Sequence, residues 1–300
     1  MDIQWYPGHM TKTRRMITEN LKMVDAVCEV LDARIPISSR NYDIFELSKA
    51  KPRLIILNRV DLADAEKTKE WAAYYRALGY SVLETNSKSG SGVSAFSSAI
   101  KQLLSDKLEA YRQKGQVGRS IRIMICGVPN VGKSSFINRV SGRNIAKAED
   151  RPGVTRDKQW IRAGDGIELL DTPGMLWPKF DDKQTALNLA FTGAIKDEIL
   201  DIESLASLFM ELLSERYAEK LDARYKIKSS PEEPGYEILE RAGRARGFLI
   251  SGGEINTERM AKTLFDEFRS GELGRITLEN VSEADREPLE KIEFRGMLSE

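Results

Sequence analysis

The sequence predicts an α/β fold, in which a mostly parallel sheet with helices on both faces is followed by an all-helical C-terminal domain. Three observations carry the prediction. Short apolar runs at residues 24–31, 54–57, 81–85 and 120–126 have the length and continuous hydrophobicity of strands buried on both faces. Helix-like stretches at 65–78 and 93–112 separate them, and strand–helix alternation builds parallel sheets. Beyond residue 185, apolar residues recur at three-and-four spacing over 186–195, 203–225 and 257–268, so this part of the chain is mostly helical.

Composition bounds the class. Three hundred residues suit two domains, and 41% hydrophobic with 31% charged residues describes an ordinary globular chain. No apolar run approaches the roughly 18 residues that span a bilayer, and no leader pattern opens the chain, so a cytoplasmic location without a membrane partner is expected. Cys28 and Cys126 both fall inside strand-like runs and read as core residues. The zero net charge hides an asymmetry: residues 1–184 hold 30 Lys and Arg against 22 Asp and Glu, and the remainder 16 against 24. A basic half suits an RNA partner, but it suits equally a protein that balances the phosphates of its own ligand.

Taken in order, the chain opens with Trp5-Tyr6-Pro7-Gly8-His9-Met10 and a helix-like stretch carrying Lys12, Arg14, Arg15 and Lys22. His9 is the sole histidine; in a loop it reads either as a surface hydrogen-bonding residue or as a catalyst. Residues 24–31 form the first strand, ending in Asp32-Ala33-Arg34-Ile35-Pro36. Residues 54–57 form the second and deliver Asn58-Arg59-Val60-Asp61 at their carboxyl end, where open α/β sheets bind ligands. There Asp61 can accept two hydrogen bonds from the N1–H and exocyclic amine of guanine, and Asn58 can bridge to the base edge and the next loop. On its own the four-residue match also fits a helix N-cap. The third strand, 81–85, ends in Asn86-Ser87-Lys88, a polar loop suited to placing a backbone N–H on the guanine carbonyl. Residues 113–118 read as a linker.

The fourth strand runs into Gly127-Val-Pro-Asn-Val-Gly-Lys-Ser134, which satisfies a phosphate-loop pattern between a strand and a helix. Gly127 and Gly132 let successive N–H groups turn inward at a polyphosphate, and the helix adds the positive end of its dipole. Asn130, Val131, Gly132, Lys133, Ser134 and Ser135 make the cradle; Lys133 reaches the β- and γ-phosphates, and the Ser134 hydroxyl binds Mg²⁺. Arg151-Pro-Gly-Val-Thr155 follows without periodicity, as a mobile switch would, and Thr155 is the candidate to bind Mg²⁺ by its hydroxyl when a γ-phosphate is present. Residues 158–162 and 166–170 flank the turn 163–166 as an edge hairpin. The hairpin ends in Asp171-Thr172-Pro173-Gly174, where Asp171 would hold Mg²⁺ through water and the Gly174 amide would sense the γ-phosphate.

These motifs resemble those of translation-factor-type GTPases in an altered order. The guanine-reading pair precedes the phosphate loop, which precedes the two switch motifs. The sequence is therefore similar to the circularly permuted GTPases, and with Pro7-Gly8-His9-Met10 and Asp32-Ala33-Arg34-Ile35-Pro36 it resembles the ribosome biogenesis GTPase A family. The resemblance implies a permuted GTPase domain over residues 1–180 and a helical RNA- or ribosome-binding domain over 181–300. Two positions depart from the usual GTPase pattern. Arg59 stands where Lys usually packs on the base, and its stem can pack similarly. Met175 stands where many GTPases carry the Gln that orients water, and a thioether cannot do that work. The resemblance points instead to His9, which joins Lys133 and Thr155 as a catalytic candidate. It marks Asn130 as a ligand for K⁺, although a turn-forming Asn after Pro129 is an equal reading.

The implied function is a GTP-hydrolysing assembly factor for late maturation of the large ribosomal subunit. It would bind the immature particle and its rRNA as a monomer in the GTP form and leave after hydrolysis, with no role for DNA. Turnover by the free protein is expected to be slow and to rise on the particle. The alternatives are a nucleotide-gated binding module with incidental hydrolysis and a nucleotide-dependent small-molecule enzyme.

Overall fold

The structure, a computed structural model, describes residues 10–116, 118–143, 160–172 and 183–284. Six strands form one sheet: β1 (Ala26–Asp32), β2 (Arg53–Asn58), β3 (Ser81–Glu84), β4 (Ile121–Cys126), β5 (Trp160–Arg162) and β6 (Ile167–Asp171), in the order β3-β2-β1-β4-β6-β5. Every neighbouring pair is parallel except β5 with β6. That pair is the expected edge hairpin, its turn made by Gly164, Asp165 and Gly166 at positive φ.

Side chains alternate across the sheet as a strand's two-residue period requires. Cys28, Val30, Leu54, Ile56, Ile123 and Ile125 face one layer, while Val27, Leu31, Ile55, Leu57, Met124 and Cys126 face the other. The first layer is covered by α4 (Phe96–Leu103) and α6 (Lys133–Ser141). The second is covered by α1 (Met10–Leu21), α2 (Tyr42–Leu47) and α3 (Ala65–Ala77), where Trp71 and Tyr75 are fully enclosed. Both cysteines are free and buried, on opposite faces, as core residues should be.

The C-terminal part is helical: α7 (Lys183–Phe191), α8 (Ile202–Arg216), α9 (Ala218–Tyr225), α10 (Gly235–Ala245) and α11 (Thr257–Ser270). Its centre is an aromatic stack in which Phe209 lies 4.5 Å from Phe191 and 4.8 Å from Phe268, ring centre to ring centre. All three are essentially unexposed, so Phe209→Ala should cost roughly 3–5 kcal/mol. The apolar core runs without a break from the first sheet layer into this stack.

Three helices differ from their sequence pattern. The stretch expected to be one helix over 93–112 is a 3-10 turn, α4 and α5 (Ser105–Gln113), with Leu104 at φ −106° between the last two. The stretch 203–225 breaks at Tyr217, which leaves helical geometry and donates its hydroxyl to the Thr277 carbonyl at 2.6 Å. A single non-helical residue leaves the three-and-four spacing intact, so the pattern does not register it. The helix expected over 186–195 stops at Phe191 because Gly193 turns left-handed and Arg269 takes the carbonyls of Ala190 and Phe191. Helices α2 and α10 were not anticipated.

Past α11 the chain does not stop at the helices. Residues 275–279 cross the loops after β1 and β2, with Ile276 N donating to Leu62 O at 2.9 Å and Leu278 N to Arg34 O at 2.8 Å. The Glu279 carboxylate, 4% exposed, accepts from Ile37 N, Ser38 N, Ser38 Oγ and Asn188 Nδ2.

Candidate nucleotide-binding site

Because β1 to β4 are parallel, their carboxyl ends open on one side of the sheet, and the connections reverse direction between β1 and β4. Ligands of open α/β sheets sit at such a crevice. The loop after β4 fills it. Gly127 has no room for a side chain, since a Cβ there would stand 2.6 Å from the Val30 carbonyl, and one on Gly132 (φ +88°) would collide with Asn58 Nδ2. Asn130 is also left-handed, at φ 60°. Helix α6 then starts at Lys133 with no side-chain cap, so its first amides remain available to an anion. Ser134 and Ser135 occupy that first turn.

Lys133 lies almost buried, with its Nζ hydrogen-bonded to Asp171 at the end of β6. The cation expected at phosphate and the carboxylate expected at Mg²⁺ thus share one spot, and Thr172 Oγ1 pins the neighbouring backbone to Ile125 O at 2.8 Å. No group of three or more His, Cys, Asp or Glu among the described residues makes a protein-only metal cage. Ser134, Asp171 and phosphate oxygens suit Mg²⁺, which is usually held by few protein groups. The cradle therefore fits a metal-bound polyphosphate.

Asn58 is the junction of the site. Its amide, 1% exposed, donates to Val131 O at 2.8 Å, and its Oδ1 accepts from Ser87 Oγ at 2.7 Å, Ser87 N at 3.0 Å and Thr85 Oγ1 at 3.1 Å. The residue expected at the base edge is spent on bracing the phosphate loop against the loop after β3, the bridging half of its expected role. Arg59, left-handed at φ 62°, reaches from the other side to Asn130 O and lies 3.7 Å from Asp32. Burial pushes the Arg59 guanidinium's pKa down, and Asp32 opposes this. Asp32 itself is raised by burial but held below its ordinary value by Arg34, whose guanidinium grips both its oxygens.

Asp61 stands exposed beyond Arg59, free to present its carboxylate. The loop after β3 differs from expectation: the amides of Asn86, Ser87, Lys88, Ser89 and Gly90 all bond within the protein. A guanine carbonyl would share one of these donors rather than find a spare one. Arg139 of α6, which no sequence signal singles out, holds this loop through the carbonyls of Ser87 and Lys88. Asn130 takes the left-handed turn conformation expected of an Asn after Pro129, and its side-chain amide donates to Gly193 O beyond α7. His9, Thr155 and Gly174 lie outside the described residues, as does Met175.

Residues 122–228 match the family described as 50S ribosome-binding GTPase. Over 295 residues the chain is 45% identical to ribosome biogenesis GTPase A of Bacillus cereus, covering 98% of this chain and 99% of that one. Two solved structures are similar along most of the chain. The GDP-bound structure of TM YlqF has a TM-score of 0.63 at 29% identity and covers 89% of this chain and 100% of that one. The GNP-bound YlqF from T. maritima has a TM-score of 0.62 at 30% identity, covering 90% and 98%. With a phosphate loop that follows residues 58–61 and 86–88 in sequence and near full-length identity of this degree, the chain belongs to the ribosome biogenesis GTPase A family.

Proposed function

We propose that this GTPase acts in ribosome biogenesis by binding the precursor of the large ribosomal subunit and its rRNA, as a cytoplasmic monomer, with hydrolysis of GTP to GDP and phosphate timing its release. The observation that carries the reading is the junction at Asn58, which joins the phosphate cradle to two loops suited to a guanine base. The family membership favours this over a small-molecule enzyme and over incidental hydrolysis. The working units are a permuted GTPase part, residues 1–180, and a helical part, 181–300.

Each residue has a task in this reading. Asp61 selects guanine, Arg59 packs its stem on the base, and Asn86, Ser87 and Lys88 line the opposite edge. The amides of Asn130, Val131, Gly132 and Ser135 bind phosphate oxygens, and Lys133 leaves Asp171 to neutralise the γ-phosphate. Ser134, Thr155 and Asp171 would hold Mg²⁺, which when bound screens the charge between phosphates. Gly174 senses the γ-phosphate, and Asn130 is suited to a K⁺ ion once it releases Gly193. With Met175 unable to orient water, His9 supplies water positioning or charge only in the transition state.

Sedimentation with ribosomal particles tests the whole reading: the protein should co-sediment with a non-hydrolysable GTP analogue and leave with GDP. Equal binding in both would refute it. His9→Ala should keep GTP affinity and particle binding but lose most particle-stimulated hydrolysis, since lost transition-state groups in GTPases cost roughly a thousandfold. Equal stimulated rates would remove His9 from catalysis.

A further inference from the structure

The loop that carries Asp61 is held by residues more than two hundred positions away. Arg275 donates through Nε to Ala63 O at 2.7 Å and through Nη2 to Val60 O at 2.7 Å. Ile276 N takes Leu62 O at 2.9 Å. Thr277 Oγ1 accepts from Asp64 N at 3.0 Å and reaches Ala33 O at 3.3 Å. Three carbonyls and one amide of residues 60–64 are thereby fixed from outside, on both sides of Asp61, while its carboxylate stays exposed.

The same segment is held by the helical part. Tyr217 OH donates to Thr277 O, Arg216 Nη1 to Leu278 O at 2.8 Å, and Lys220 Nζ to Arg275 O. A guanidinium that spans two carbonyls flanking a ligand-reading residue fixes the direction in which that residue points, and a fixed direction is what two parallel hydrogen bonds to one base edge need. We propose that Arg275 and Thr277 are positioning residues for guanine recognition, setting the aim of Asp61 from the strap after α11. The proposal rests on the assignment of Asp61 to guanine. By linkage, whatever shifts α8 and α9 would change guanine-nucleotide affinity, and nucleotide would change the affinity of that partner equally.

The test compares affinities for GDP and for IDP, which lacks the exocyclic amine. Loss of a hydrogen bond to a carboxylate should make the wild type prefer GDP by about tenfold or more. Arg275→Ala should weaken GDP binding several-fold more than IDP binding, so the preference shrinks at least threefold, and Arg275→Lys should restore part of it. Thr277→Val, which removes one hydroxyl at constant shape, should act in the same direction and covers the case in which Arg275→Ala does not fold. A preference unchanged in these variants, or equal losses for both nucleotides, would overturn the positioning role. Asp61→Ala separates the two assignments: if it leaves the wild-type preference intact, the guanine reading itself falls and the proposal with it.

Discussion

Replacing Asn58 tests the junction of the site directly. Asn58→Ala removes four hydrogen bonds, to Val131 O, Ser87 N, Ser87 Oγ and Thr85 Oγ1. At roughly 1 kcal/mol net each, the loss is about 4 kcal/mol, because Val131 and Ser87 are too buried for water to take over freely. Thr85→Val removes only one of these bonds and should cost about 1 kcal/mol. Asn58→Asp keeps the acceptor that serves Ser87 and Thr85 but sets an oxygen 2.8 Å from the Val131 carbonyl, so it should behave nearly as badly as alanine. Equilibrium unfolding in urea measures all three. GDP affinity should fall about tenfold or more in Asn58→Ala, since the Val131 segment of the cradle loses its brace. If Asn58→Ala costs no more than Thr85→Val, the residue is not a junction and the reasoning fails.

Three further outcomes are expected. Gly132→Ala must place a Cβ against Asn58 Nδ2 at a backbone angle that alanine resists, so it should lose GDP binding and several kcal/mol of stability; normal binding by calorimetry would contradict the geometry. Asp61→Asn should shift preference from guanine toward xanthine nucleotides, and unchanged GTP binding would sink the assignment. Burial raises the Glu279 pKa to about 7, against the pull of donors from Ser38, Ile37 and Asn188. Its contribution is therefore full below its ordinary value of 4.5 and is lost as pH rises through 7, about 3 kcal/mol in all. Urea midpoints from pH 4.5 to 8 should show this slope in the wild type and not in Glu279→Gln, and parallel curves would refute it.

The sheet and the phosphate loop were legible in the sequence because both are local. Four buried parallel strands show as apolar runs, and a turn that leaves no space for a Cβ must be glycine. Asp61 stands out in the sequence through its place after a strand end, and it is exposed there. Other features were not legible, for the opposite reason. Asn58 looks like a base-reading residue in its motif, yet its amide is consumed by Val131, a contact spanning 73 positions. Arg139 looks like any surface arginine on an amphipathic helix, and only the fold puts the loop after β3 beneath it. Arg275 and Glu279 do not stand out in the sequence, because no period marks a segment whose partners lie on other loops. The breaks at Leu104 and Tyr217 leave helical spacing unchanged, so a pattern of apolar positions passes over them.

The strap also sets an order of events during synthesis. Glu279 and Thr277 close contacts with Ile37, Ser38 and Ala33 across 241 to 244 positions, among the longest loops this chain can close. A nascent chain emerging N-terminus first can pair β1 to β4 and form the phosphate loop early, but the loop that carries Asp61 lacks its outer support until Arg275 and Thr277 have been made. If the proposed aim of Asp61 holds, chains that lack residues 275–279 would bind phosphate with little preference for the base. On the positioning role proposed for Arg275 and Thr277, base discrimination would be acquired later in synthesis than phosphate binding, since the support of the reading loop follows the phosphate loop by more than a hundred residues.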